Sequence, residues 1–167
     1  EFGDVAGVVV GLDRHKRDAV AVATRHDAPV YVPQWMSGVA DSLEAPVERF
    51  GSELADSGFE AVRIRDSGIP PWQEVGLYHP EEGTLIVPEA VGTVEYFRAP
   101  GEILGVHPML RPVPPRRALS RFDPERVLVG HGEGIRTDAA AALREALDNA
   151  RSNLPGAYGR ALKELLS

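Results

Sequence analysis

A chain of 167 residues, 43% of them hydrophobic and 26% charged, can bury one real core and is too apolar to stay disordered. Its formal net charge of -7 disfavours a nucleic-acid partner, which needs a basic face, and the absence of cysteine excludes disulfides and thiolate metal sites. No apolar run reaches the roughly 20 residues of a membrane span and no signal peptide is visible, so the expectation is a cytoplasmic protein with no membrane contact.

The first element is an apolar strand over Val5–Leu12, with Val8, Val9 and Val10 as a β-branched run suited to burial on both faces. Asp13 is placed to cap a helix over roughly Arg14 to His26, and a short strand from Pro29 to Val32 follows, giving a β-α-β unit with parallel strands. Residues 33–57 read as a surface excursion with one helix near Pro46 to Asp56. Phe59 to Arg65 alternates as a half-exposed strand, and Asp66 to Pro71 is a loop by composition. Glu74–Tyr78 and Thr84–Val87 form a hairpin whose turn has proline early and glycine late.

Residues 88–115 carry six prolines and read as a long irregular loop or lid. A short helix is expected over Arg116–Arg121 and a buried strand over Arg126–Gly130, ending in Gly130-His131-Gly132. Thr137 then caps an amphipathic helix with Ala139, Leu143, Leu147, Ala150 and Leu154 on one stripe. Pro155-Gly156 breaks it, and a last helix runs to about Leu166. Mixed strands with segregated helices predict a layered α/β sandwich, taken as a single domain over residues 1–167.

Several segments are poor candidates for chemistry. No G-x-S-x-G nucleophile elbow and no phosphate-loop pattern occurs, although Gly130-His131-Gly132-Glu133-Gly134 is glycine-rich after a strand. His26 at a helix end and His79 at a turn tip read as structural and solvated, and His107 reads as a surface contact in the proline-rich loop. Trp35, Trp72, Tyr96 and Phe97 read as plugs beneath loops, with Trp72 and His107 as the residues of a possible small-molecule pocket.

In their order along the chain, the strand Val5–Leu12 with Asp13–Ala19, the strand at Ala28–Pro33, the hairpin Glu74–Val87 and the strand Val127–Gly132 resemble the later part of a metallo-β-lactamase-fold protein. The resemblance implies an αββα sandwich, here its C-terminal portion, with a site at the sheet edge. Many members bind zinc or iron and hydrolyse esters, thioesters, amides or phosphodiesters. It also implies that the first part of the fold lies before Glu1, so that the chain is a fragment or a shortened sandwich. The sheet edge left open then calls for a homodimer or a partner chain.

Aligned on Asp18, the family's H-x-H-x-D-H motif loses its histidines to Arg14, Lys16 and Ala19, and the histidine before the hairpin falls at Pro70. Asp18, Glu89 and His131 remain as metal ligands, with His15 as a further candidate. Arg14 and Lys16 are expected to pair with Asp18 and Glu89 and to occupy the vacated site. The resulting expectation is a divergent binding or interaction protein that has lost metal-dependent hydrolysis and carries no cofactor. The alternative is a metal-dependent hydrolase with a reduced Asp/Glu/His site holding zinc, iron or manganese.

Overall fold

The computed structural model describes residues 3–165. Its elements are β1 (Val8–Val9), α1 (Ala19–His26), β2 (Val30–Pro33), α2 (Ser37–Ala40), β3 (Val47–Phe50), β4 (Glu60–Gly68), β5 (Pro71–His79) and β6 (Thr84–Val87). They continue with β7 (Val91–Gly92), β8 (Gly105–Val106), α3 (Arg116–Leu119), β9 (Arg126–Val129), α4 (Ala139–Asn149) and α5 (Leu154–Leu165). Short 3-10 turns lie at Glu95–Phe97 and Pro108–Leu110.

Two main sheets form. The first has the order β1-β2-β3 and is parallel throughout; β1-α1-β2 is the expected β-α-β unit. The second has the order β4-β5-β6-β9, with β6 and β9 parallel and the other pairs antiparallel. Alternation along β5 and β6 divides the second sheet cleanly. Val75 and Leu77 face inward to Val10, Val30, Val32 and the α1 residues Ala19 and Ala23. Leu85, Val87 and Val127 face outward to Leu119 of α3 and to Leu143 and Leu147 of α4. Burying both faces of the second sheet between apolar layers is the main source of cohesion.

The first strand is shorter than its sequence suggests, because the chain changes sheets within it. After Val9 it leaves β1: the Val75 amide donates to the Gly11 carbonyl at 2.9 Å and the Asp13 amide to the Gln73 carbonyl at 3.0 Å. Gly11 permits this close crossing, since a Cβ there would meet Pro88 Cγ at 2.6 Å. Residues 13–18 are turns, so the helix begins at Ala19 rather than Arg14, and Asp13 caps nothing; its carboxylate instead accepts the Gln73 amide at 3.3 Å.

Other expectations are corrected. The helix near Pro46–Asp56 is absent; β3 lies there, paired in parallel with β2. The presumed loop 66–71 is the close of a hairpin in which β4 runs to Gly68 and β5 starts at Pro71. The amphipathic helix stops at Asn149, and Pro155-Gly156 lie inside the first turn of α5, where proline lacks only an amide that has no helical partner. Asp138, not Thr137, takes the N-cap position, with φ of 52°. Leu166 lies outside the described residues.

Residues 88–115 are not a lid. β7 and β8 pair within them, and Arg111 at their end is fully buried. Arg111 binds both carboxylate oxygens of Glu102 and donates to the carbonyls of Val106, Phe97 and Ala150. Glu102 also accepts the Ala99 amide at 2.8 Å and the Asn153 amide side chain at 3.0 Å. A buried charge pair with its donors and acceptors met in this way fixes the segment against the ends of α4 and α5. Among the described residues no helix is long and apolar enough to cross a membrane.

Candidate metal centre

Three chain segments meet at the end of β6. The turn after Leu12 carries His15, brought there by the crossing from the first sheet to β5. Glu89 follows β6 after one residue, Pro88. His131 follows β9 after one residue, Gly130; Gly132 (φ 107°) and Gly134 (φ 74°) turn the chain back so that Ile135 and Val127 exchange two backbone bonds of 2.8 Å. The His131 carbonyl accepts the Thr93 amide at 2.9 Å, which holds the loop in place.

His131 Nε2 lies 2.6 Å from Glu89 Oε2, and His15 Nε2 lies 3.2 Å from the same oxygen. One donor atom from each of the three residues falls within 4.8 Å of the others. The His15 and His131 side chains are 43% and 39% exposed while that of Glu89 is 12% exposed, so the cluster is open on the histidine side and backed by protein on the other. Donors held 2.0–2.2 Å from a tetrahedral ion stand about 3.3 Å apart, and two imidazoles with a carboxylate suit zinc, iron or manganese. The donor chemistry therefore fits a divalent ion, and the 3.2 Å His15–Glu89 separation matches that spacing, while the 2.6 Å His131–Glu89 contact is a hydrogen bond that would open by about 0.7 Å around an ion.

Behind the cluster lies a second layer. Glu74 is wholly buried; its Oε1 accepts the Glu89 and Ala90 amides at 2.7 and 2.8 Å and its Oε2 accepts Trp72 Nε1 at 2.8 Å. Burial pushes its carboxyl up to about 7, against the three hydrogen bonds, which favour the charged form. His107 is buried among Trp72, Phe97 and Tyr96, with ring centroids at 5.0, 4.9 and 5.9 Å. Its Nδ1 accepts the Met109 amide at 3.2 Å, so the proton of the neutral ring is assigned to Nε2, which faces Glu89 Oε1 at 3.5 Å. Burial holds His107 down to about 4. The two oxygens of Glu89 are thus divided: Oε1 toward the interior, Oε2 toward the open cluster.

Of the expected ligands, Glu89 and His131 come together, and His15 stands where Asp18 was expected. Asp18 precedes α1 with an exposed carboxylate, 3.5 Å from Arg17. The expected occupation of the site by cations is also absent. Arg14 donates to the Pro71 carbonyl at 3.1 Å and lies over the Trp72 ring, while Lys16 donates to Ser42 at 2.7 Å. Ala19 is buried at the start of α1, and Pro70 closes the β4–β5 hairpin. Trp72 and His107 do touch, but both are buried, so His107 is neither a surface contact nor part of an open pocket with Trp72; it supports Glu89 from behind, together with Glu74, which the sequence does not single out. An acidic residue between Trp72 and Leu77 in an apolar strand was the available signal for Glu74.

No protein-family model and no curated protein sequence matches the chain. Solved structures do. DIM-1 metallo-β-lactamase exposed to ceftazidime matches with a TM-score of 0.55 at 17% identity, over 88% of this chain and 68% of that one. TMB-1 matches with a TM-score of 0.54 at 15% identity, over 92% of this chain and 69% of that one. At such identity the likeness speaks to architecture, and it agrees with the two packed sheets and their flanking helices: the chain has the metallo-β-lactamase fold.

Proposed function

We propose that this protein holds a divalent transition-metal ion between His15, Glu89 and His131 and acts as a metal-dependent hydrolase on an ester, thioester, amide or phosphodiester bond. The observation that supports this most is the convergence of those three donors while Arg14 and Lys16 bond elsewhere, to the Pro71 carbonyl and Ser42. A divalent ion supplies Lewis acidity, polarising a carbonyl or phosphoryl oxygen and making water more acidic. The chain's own residues prepare the place. Glu74 anchors the Glu89 backbone through two amides, and neutral His107 engages Glu89 Oε1, so Oε2 stays directed at the two exposed histidines.

Metal analysis of protein purified without chelator tests the reading. Near-stoichiometric zinc, iron or manganese is expected, lost in His131→Ala and His15→Ala and retained in Asp18→Ala. Metal-free protein after purification in zinc, or full retention in His131→Ala, would overturn it. The absence of donors at Ala19 and Pro70 favours a second reading, a binding protein that has given up hydrolysis. Stoichiometric metal without turnover of any of the four bond classes is its signature.

A further inference from the structure

Beside the donor cluster, between the first sheet and the inner face of the second, lies a cavity of about 250 Å³. All three donor segments form its rim: His15 itself, Pro88 just before Glu89, and Gly130 just before His131. Its walls are aliphatic, with Val9 on one side and Leu77 and Ile86 on the other, and among the described residues His15 is the only ionisable one lining it. Val9 and Ile86 are both half-buried, so the cavity keeps β-branched surface in contact with water that a ligand's apolar group would displace. The volume lies below the roughly 300–1,000 Å³ of sites that enclose drug-sized ligands. It suits a small uncharged aliphatic portion of a larger molecule.

We propose that this cavity is the specificity pocket of the site and receives a short aliphatic acyl chain, whose carboxyl-derived end then lies at His15, Glu89 and His131. The assignment rests on the hydrolase reading for its chemistry, but its binding component stands without turnover. Leu77 and Val75 line the cavity from β5 and would limit the chain it accepts. Ile86, at the sheet's inner face and only half-buried, is the wall residue whose size is most readily changed.

The test uses the full chain, first metal-free and then zinc-loaded. Binding of acetate, butyrate, hexanoate and decanoate is measured by calorimetry, and hydrolysis of the matching p-nitrophenyl esters by absorbance. Ile86→Phe and Ile86→Ala are run beside the parent, with thermal melts and zinc content to establish that each is folded and loaded. Butyrate and hexanoate should bind best, and Ile86→Phe should weaken hexanoate roughly tenfold, the loss of burial of about two methylenes, while sparing acetate. Ile86→Ala should shift the optimum to a longer chain.

Equal binding of all chain lengths, or an optimum unmoved by both Ile86 variants, would overturn the pocket. Ester turnover with no chain-length preference would overturn it while leaving the hydrolase reading intact. Chain-length-dependent binding that moves with Ile86, without any turnover, would support the pocket and sink the hydrolase reading.

Discussion

Two glutamates in neighbouring loops have been given opposite surroundings. Glu102 faces a permanent cation, the fully buried Arg111, in a cluster where backbone carbonyls and the half-buried Asn153 complete the bonding. Glu89 faces three histidines, none permanently charged, and two of them are open to solvent. The first arrangement is closed: every strong group has a fixed partner, so it can only hold the structure. The second is unfinished, with two imidazoles aimed at one oxygen. Unspent coordinating capacity at a surface is what separates a site from a staple.

The sharpest way to test this contrast is to break the closed cluster. Arg111→Met should cost about 3–5 kcal/mol in urea unfolding, because Glu102 is left as an unpaired buried charge. A loss below about 1 kcal/mol would mean that the cluster is no staple.

The histidine side should instead respond to pH. The His107 folded value of about 4 lies below its ordinary 6.5, so its contribution is complete above pH 6.5 and is lost as pH falls toward 4. The full loss is about 3 kcal/mol, at 1.36 kcal/mol per pKa unit. Glu74 has the opposite sign: its folded value of about 7 lies above its ordinary 4.5, so its stability is complete below pH 4.5 and is lost as pH rises through 7. Urea midpoints in chelator, compared between the parent and His107→Gln, should therefore diverge in the parent's favour as pH rises from 4 to 6.5. The comparison with Glu74→Gln should run the other way between 4.5 and 7. Parallel curves would refute the assignment of these groups.

Smaller effects follow. Trp72→Phe removes the donor to Glu74 Oε2 and should cost about 1–2 kcal/mol, measured by the same unfolding curves. Asp18→Asn should change stability by under about 0.5 kcal/mol, since its ion pair with Arg17 is exposed, and should leave metal content unchanged. A clear loss of metal there would restore Asp18 to the ligand set.

What the sequence made legible follows from how local the deciding physics is. β2, β5, β6 and β9 are apolar runs bounded by turn residues, and their order was enough to suggest the fold. β3 was hidden because Val47-Glu48-Arg49-Phe50 is short, half charged and preceded by a proline that also suits a helix start. The 88–115 segment looked mobile for its prolines, yet its conformation is set by a glutamate and an arginine nine residues apart, which composition does not reveal. Glu89 and His131 could be placed because each ends a recognisable strand. His15 was ranked behind Asp18, as a further candidate, because a helix was expected from Arg14. With helix beginning only at Ala19, the spacing that puts Asp18 beside residues 14 and 16 on one turn does not apply.

The sheet change at Gly11 has a mechanical consequence. His15 reaches the cluster on a strand that belongs to both sheets in turn, whereas Glu89 and His131 end strands of the second sheet alone. An ion gripping all three would act as a rivet across the seam between the layers. Its occupancy would report how well the N-terminal β-α-β unit is seated, and its removal would free that unit to lift first. Protease cleavage near α1 should then slow as metal is added, with the protection growing as the logarithm of free ion once it exceeds the dissociation constant.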